Sequence, residues 1–191
     1  MTAPIRRLCV FCGAHVGTKP LFAEIARETG RLVAERGWAL VTGGGGTGLM
    51  GAVAEGALAA GGEVIGVIPK QLEERELAHR GLTELHTVES MHSRKELMHS
   101  LSQAFVTLPG GMGSLDEVFE ALTWAQLGLH AKPVGFVSVE GFWDPLLAQL
   151  DQCVEQGFLK PEQRGRILVA SAPGPLLEAM DSWEPPAPLW S

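Results

Sequence analysis

Short apolar runs alternate along this chain with longer segments in which apolar residues recur at helical spacing. Seven runs rich in β-branched residues are typical of buried strands, namely residues 8–11, 39–42, 64–68, 85–88, 105–108, 134–139 and 167–170. The first helical segment holds the apolar positions between residues 21 and 33, with Thr18 as its predicted N-cap and Gly37 as its predicted end. The alternation predicts a Rossmann-like, doubly wound α/β fold, with a mainly parallel sheet and helices on both faces.

The length of 191 residues favours one Rossmann-like nucleotide-binding domain, which we place at residues 1–183, followed by a Pro-rich tail at residues 184–191. A net charge of -7 argues against a nucleic-acid partner, because affinity for the phosphate backbone needs a surplus of Lys and Arg. No segment reaches the ~20 apolar residues that span a bilayer, and none has the apolar region of a signal peptide. We therefore expect a cytoplasmic protein without a membrane partner.

The cysteines and histidines do not follow a disulfide or metal-binding pattern. Cys9 and Cys12 form a C-x-x-C within an apolar run, but an offset of three along a strand points their side chains to opposite faces. This favours two buried thiols over a metal or redox pair. His92 and His99 lack an acidic or Cys partner at ligand spacing, so no metal site is predicted.

A glycine-rich loop, GGGGTGLMG at residues 43–51, lies between a predicted strand and a predicted helix. Glycine lets backbone N–H groups approach a ligand, and a helix start carries partial positive charge, so the pattern is typical of a phosphate site. Tight turns also use glycine for packing alone. Gly43, Gly45 and Gly48 match the dinucleotide motif G-x-G-x-x-G, but the next strand ends without the acid that binds a ribose hydroxyl. Leu49 stands where a Walker A loop requires Lys, which excludes that motif.

A second such loop, PGGMGSLDE at residues 109–117, again joins a predicted strand to a predicted helix. Two glycine-rich helix starts at the carboxyl edge of one sheet are hard to explain by packing, and they favour a site for a phosphorylated small molecule. Ser114 and Glu117 also have the S-x-x-E spacing of a capping box, in which Ser caps the helix and Glu binds back to the Ser N–H. Spacing alone leaves open whether Glu117 is a cap or a functional acid.

The third feature is MHSRKELMHS at residues 91–100, which has the same S-x-x-E spacing at Ser93 and Glu96. This interpretation puts Arg94 and Lys95 in the first helical turn, where each cation opposes the helix dipole at a cost of ~0.3–1 kcal/mol. Their placement indicates a bound anion, with two solvated surface charges as the alternative.

The chain closely resembles the Lonely Guy (LOG) family, cytokinin riboside 5′-monophosphate phosphoribohydrolases, in three ordered stretches: GGGGTGLMGAVAEGAL, MHSRKELM and LPGGMGSLDEVFEALTWAQLGLHAKPVG. The resemblance covers about residues 9–143. It implies a Rossmann-like fold and a homodimer or larger assembly. It also implies an enzyme that cleaves the N-glycosidic bond of AMP-like nucleoside monophosphates, releasing base and ribose 5-phosphate without an organic cofactor.

The resemblance implies site residues as well, with Arg94 and Glu117 as the catalytic pair. The substrate-binding residues that it implies are Glu76, Lys95, Gly110, Gly111, Met112, Gly113, Ser114, Leu115, Asp116 and Thr123. To these we add the first glycine loop and the helical face of Arg94, that is Gly44, Gly45, Thr47 and Met91. Ser114 replaces a more usual Thr, and Ala14 stands where a Ser is frequent, which leaves the preference for base and phosphate open.

The mechanism that we expect follows from the positive charge that develops on the ribose during the reaction. Breaking the bond between ribose C1′ and the base builds positive charge on the ribose, as in glycoside hydrolysis. Glu117 would stabilise that charge and activate water, while the N–H groups of the second loop hold the phosphate and so fix the ribose. Arg94 would neutralise the phosphate or position the purine.

Three other functions are alternatives to this hydrolase. Members of the family were long labelled possible lysine decarboxylases, but pyridoxal chemistry needs a Schiff-base Lys, and Lys95 beside Arg94 is typical of an anion ligand. A nucleotide-binding module without catalysis stays as the alternative. An NAD-type oxidoreductase is disfavoured by the missing acid.

The segment LTWAQLGL predicts a homodimer. Leu122, Trp124, Leu127 and Leu129 lie around more than one helical face, so they offer apolar surface beyond one core.

Overall fold

The predicted alternation of strands and helices is present in the computed structural model, which describes residues 5–73 and 78–184. Its elements in chain order are β1 (Arg7–Phe11), α1 (Pro20–Glu35), β2 (Ala39–Thr42), α2 (Gly48–Ala59), β3 (Val64–Pro69), β4 (Glu84–Val88), α3 (Met91–Leu101), β5 (Ala104–Thr107), α4 (Met112–Gln126), β6 (Val134–Val137), a 3-10 turn (Val139–Gly141), α5 (Asp144–Glu155), α6 (Pro161–Gly165), β7 (Ile167–Ala170) and α7 (Pro173–Asp181). Each predicted strand is confirmed to within two residues at either end. The predicted tail, apart from Glu184, lies outside the described residues.

The seven strands form one sheet in the order β4-β3-β2-β1-β5-β6-β7, and every neighbouring pair is parallel. The chain builds outward from β1 to β4, and then crosses back to add β5 on the other side of β1. The connections after β1 and β5 therefore leave the sheet in opposite directions, which opens a crevice beyond the carboxyl ends of these two strands. The doubly wound fold is confirmed.

Helices cover both faces of the sheet. Helices α1, α2 and α7 bury apolar residues against one face, and α3, α4 and α5 against the other. Residues of β1 alternate between the two layers, since Leu8 and Val10 lie in the first and Cys9 and Phe11 in the second. Cys12 returns to the first layer, so Cys9 and Cys12 are buried free thiols on opposite faces, as predicted.

Helix α1 begins one residue later than the sequence suggested. Its N-cap is Lys19, not Thr18, and no side chain caps it. Pro20 takes the first helical position, where its fixed φ suits the helix and its missing N–H costs nothing. The predicted end is confirmed, because Gly37 follows the C-cap Arg36 with a φ of 68°. Within the described ranges, no helix is both long and apolar enough to cross a membrane.

His99, on the sheet-facing side of α3, is part of the core beneath α4. Its ring lies between those of Phe105 and Trp124, with centroid distances of 4.6 and 4.5 Å. Burial, together with the nearby positive charge of Lys132, lowers the pKa of both His99 and His130 to about 4. Both imidazoles are therefore neutral at pH 7. His99 acts as a packing group, whereas His130 accepts a hydrogen bond from Lys132 N and is hydrogen-bonded to Ala121 O.

Candidate active site

A cavity of about 430 Å³ opens at the crevice beyond β1 and β5. The loop after β1 contributes residues 12–17, and the loop after β5 contributes residues 109–111 and the start of α4. Met91 and Arg94 reach the cavity from α3, and Glu117 reaches it from α4. The structure thus brings together the two residues predicted to be catalytic and the second glycine loop.

Helix α4 starts without a side-chain cap. Its N-cap is Gly111, and Ser114 is the third helical residue. The capping-box interpretation of Ser114 and Glu117, which the spacing had left open, is therefore wrong. The first N–H that binds a helical carbonyl belongs to Leu115, which donates to Gly111 O at 3.0 Å. The N–H groups of the preceding turn have no helical acceptor and point out at the cavity end of the helix.

Gly110, Gly111, Met112, Gly113 and Ser114 all line the cavity. The loop is tightly built, since a Cβ on Gly110 would lie 2.1 Å from the Ser114 hydroxyl oxygen. Glu117 lies on the second turn of α4, not the first, because the helix begins three residues earlier than the capping box implied. The carboxylate of Glu117 therefore lies about one helical turn beyond the backbone N–H groups at the start of α4 that have no helical acceptor.

The N-cap of helix α3 also lies three residues before the predicted one. Ser90 is the N-cap, and its hydroxyl accepts a hydrogen bond from Ser93 N at 3.1 Å. The capping interpretation of Ser93 and Glu96 is therefore wrong, although a Ser does cap the helix. Arg94 and Lys95 are the fourth and fifth helical residues, beyond the first turn, where the unfavourable interaction of a cation with the helix dipole is small.

Arg94 is a buried cation, only 4% exposed, at the base of the cavity. Its Nε donates to Val67 O at 3.1 Å, and its Nη2 donates to Gly43 O at 2.8 Å. Nη1 lies 3.7 Å from the Met91 sulfur, which confirms that Met91 and Arg94 share a helical face. Two carbonyls from the ends of β2 and β3 thus fix the guanidinium, and a fixed dipole environment of this kind preorganises a charge.

The first glycine loop makes room for the guanidinium of Arg94 and accepts a hydrogen bond from it. A Cβ on Gly43 would lie 2.0 Å from Arg94 Nη2, so only glycine leaves room for the guanidinium there. The start of α2 is covered by the β1–α1 loop, because Leu49 N donates to Gly13 O at 2.9 Å and a Cβ on Gly48 would meet Ala14 C at 2.2 Å. The predicted ligands from this loop, Gly44, Gly45 and Thr47, do not line the cavity, whereas Leu49 and Met50 do.

Lys95 points away from the cavity toward α4. Its Nζ lies 3.0 Å from Asp116 Oδ2 and 2.9 Å from Glu120 Oε2. Burial of the ammonium group acts to lower the pKa of Lys95, but its hydrogen bonds to Glu120 and Asp116 outweigh that effect and raise the pKa. Neither Lys95 nor Asp116 lines the cavity, so their assignment as substrate ligands stays a prediction.

The remaining predicted ligands lie elsewhere. Thr123 lines a different cavity of about 460 Å³, which is bounded by α4, α5, α6 and the ends of β6 and β7. Leu115 packs against the core layer of α3, α4 and α5. Glu76 lies outside the described residues.

The loop after β1 is part of the site, although only Ala14 of its residues was related to the substrate from the sequence. It carries no glycine-rich motif, and its one signal is topological, since the loop follows the strand at the switch point. Phe22 and Phe142 also line the cavity, with their rings in edge contact at 5.7 Å. Cys12 is a further lining residue, but burial and the charge of Glu117 raise the pKa of its thiol, so it is protonated at neutral pH.

Comparisons with known proteins show which family the chain is similar to. A family model described as "Possible lysine decarboxylase" matches residues 50–180, which include Arg94, the second glycine loop and Glu117. The chain is 44% identical over 180 residues to a probable cytokinin riboside 5′-monophosphate phosphoribohydrolase of Oryza sativa subsp. japonica, an alignment that covers 94% of this chain and 74% of that protein. It is 43% identical over 180 residues to a cytokinin riboside 5′-monophosphate phosphoribohydrolase of Arabidopsis thaliana, covering 94% and 83% of the two chains.

Among solved structures, the molybdenum cofactor binding protein from the phototrophic bacterium Rippkaea orientalis has a similar fold, with a TM-score of 0.72 and 25% identity. That match covers 95% of this chain and 98% of the other. The sequence relatives are more similar and align over nearly the whole chain. The chain belongs to the Lonely Guy (LOG) family of cytokinin riboside 5′-monophosphate phosphoribohydrolases.

Proposed function

We propose that the protein hydrolyses the N-glycosidic bond of AMP or of N6-modified (cytokinin) nucleoside 5′-monophosphates. The products are the free base and ribose 5-phosphate. The observation that carries this proposal is the shared cavity, which is lined by the uncapped start of α4, the carboxylate of Glu117 and the fixed guanidinium of Arg94. Its relatives of 43–44% identity are named for this reaction.

In the proposed binding mode, the 5′-phosphate lies at the start of α4. Backbone N–H groups that lack a helical acceptor, together with the helix dipole, favour an anion at this position. The phosphate then anchors the ribose, and C1′ lies deeper in the cavity near the second turn of the helix, which carries Glu117. Anchoring of this kind supplies the orientation that the bond cleavage needs.

The proposed chemistry uses Glu117 as the acid–base group. A water oxygen bonds to C1′ while the bond from C1′ to the base nitrogen breaks, and the electron pair leaves with the base. Glu117 accepts a proton from the water and stabilises the positive charge that develops on the ribose. The departing base takes up a proton. Arg94, which is held by Gly43 O and Val67 O, supplies positive charge for the phosphate or orients the purine.

A product assay with matched substrates tests the function. The purified protein is incubated with AMP, with N6-isopentenyl-AMP and with adenosine, and free base is measured by chromatography. We expect both monophosphates to be cleaved and adenosine to be cleaved more than about tenfold more slowly, because adenosine lacks the anchoring phosphate. Equal rates on AMP and adenosine would contradict the phosphate site, and the absence of any free base would contradict the activity.

A nucleotide-binding module without catalysis is the second candidate. The likeness to a molybdenum cofactor binding protein favours it, since that protein has the same fold. Binding of AMP without release of adenine would support this candidate. A decarboxylase is disfavoured, because Lys95 is buried between two carboxylates on α4 and does not line the cavity.

We also propose a homodimer that uses the outer side of α4. Leu127 and Leu129 are 54% and 67% exposed at the end of this helix, next to the apolar cavity that contains Leu122 and Thr123. Exposed apolar surface of this extent is typical of an interface. Sedimentation equilibrium at micromolar concentration is expected to give twice the monomer mass, and a monomer alone would contradict the proposal.

Two further assignments complete the proposal. The free cysteines and the net charge of -7 support a cytoplasmic protein whose partner is a small nucleotide and not a nucleic acid. Contacts of the substrate with Glu76, Lys95, Leu115, Asp116 and Thr123 stay predictions from the resemblance.

A further inference from the structure

We propose that His15, in the loop between β1 and α1, is a phosphate ligand of this cavity. Its imidazolium would donate a hydrogen bond to a phosphate oxygen, opposite the N–H groups of α4. This inference rests on the proposed function, because it places the phosphate at the start of α4. His15 is then a positioning residue, which binds the substrate but takes no part in breaking the bond.

The loop that carries His15 is held between two helix starts. Gly13 N donates to Pro109 O at 3.1 Å, and Gly13 O accepts from Leu49 N at 2.9 Å. The backbone of the loop also fills the space beside Gly48, where a Cβ would lie 2.5 Å from His15 N. His15 therefore follows a backbone segment anchored on both sides, and it is one of the residues that line the cavity.

The same loop borders the proposed phosphate position. A Cβ on Gly13 would lie 3.4 Å from Gly110 Cα, so the backbones of the two loops are nearly in contact. His15 is two residues further along. The short distance from Gly13 to the start of α4 favours the phosphate, and not the base, as the partner of His15.

The charges around the cavity leave a role for another cation. A phosphate monoester carries about -1.5 to -2 at pH 7. The ionisable side chains that line the cavity among the described residues are Cys12, His15, Arg94 and Glu117. Cys12 is a neutral thiol, Glu117 repels an anion, and Arg94 already donates to Gly43 O and Val67 O.

The nearby lysines form ion pairs with carboxylates of the protein. Lys95 pairs with carboxylates of α4, and Lys19, in the same loop as His15, pairs with Glu140. The His15 side chain is exposed, and within residues 5–73 and 78–184 it makes no hydrogen bond or ion pair. Hydrogen bonds from a cation to phosphate are among the stronger ones.

The test separates the phosphate from the base. The dissociation constant of ribose 5-phosphate is measured by calorimetry for the wild type, His15→Gln and His15→Lys, together with kcat and KM for AMP. We expect His15→Gln to weaken ribose 5-phosphate binding about tenfold and to raise KM similarly, with kcat nearly unchanged. His15→Lys should restore most of the affinity, because it restores the cation.

His92→Gln is the matched control, since His92 is exposed on α3 and does not line the cavity. It should leave every constant unchanged. Unchanged affinity of His15→Gln for ribose 5-phosphate would overturn the inference, and a lower kcat in that variant would instead make His15 a group that acts on the base. The wild type could also fail to cleave AMP while His15→Gln still weakens the binding of ribose 5-phosphate. That result would contradict the proposed function and support His15 as a phosphate ligand.

Discussion

Replacing Glu117 by Gln is expected to lower AMP turnover by at least ~100-fold while the protein remains folded. The amide nearly matches the carboxylate in size, but it cannot accept a proton from water or offset a full positive charge on the ribose. Because α4 is capped at Gly111 and not at Ser114, Glu117 has no capping-box role whose loss would explain such a result. Steady-state release of adenine and the melting temperature are the two measurements.

Glu120→Gln is the control on the same helix. Glu120 lies 2.9 Å from Lys95 Nζ and does not line the cavity, so its substitution weakens an ion pair at a largely buried ammonium. We expect this variant to keep near-normal turnover and to melt at a lower temperature. Normal turnover of Glu117→Gln would contradict the mechanism, whatever the family of the chain.

The architecture could be predicted because its signals are local. Six of the seven strands are short apolar runs, the exception being the edge strand β4, and helices such as α1 have a clear apolar face. The alternation of these elements leads to the doubly wound fold. The second glycine loop could be predicted for the same reason, since it joins a recognisable strand to a recognisable helix. The seven strands and the lining of the cavity by residues 110–114 agree with this reasoning.

Neither S-x-x-E spacing marks the N-cap of a helix, because this spacing does not determine where a helix starts. Around α3, Ser90 and Ser93 are both available, and the chain uses the earlier one. At α4 the helix begins at Met112 with a glycine as its N-cap. Backbone conformation before the helix decides this choice, and that conformation depends on how the preceding strand joins the sheet.

The role of the first glycine loop depends on a contact distant in sequence. A glycine-rich turn admits any group that approaches the backbone closely, and the sequence does not show whether that group is a ligand or a side chain. Here the group is Arg94, which is 51 positions away from Gly43. Likewise, Lys95 was expected to bind an anion, but its partners are Asp116 and Glu120 on the helix packed beside it.

The contact between Gly43 and Arg94 leads to the second prediction of a large effect on turnover. Gly43→Ala is expected to lower AMP turnover by about 100-fold, because the new methyl group would lie 2.0 Å from Arg94 Nη2 and must displace it. Arg94 has a long, flexible side chain, so the guanidinium can move and the protein should still fold. A misplacement of about 1 Å in a catalytic group is enough for a loss of this size.

Two comparisons distinguish displacement of Arg94 from general damage. Gly174→Ala, in helix α7, places its methyl group more than 4 Å from any other part of the described structure, and it should leave turnover unchanged without lowering the melting temperature. Arg94→Ala should lose at least as much activity as Gly43→Ala, and the double variant should be no worse than Arg94→Ala alone, because both changes remove the same interaction. Additive losses in the double variant would mean that Gly43 acts independently of Arg94, and wild-type turnover in Gly43→Ala would mean that the position of the guanidinium does not matter for the reaction.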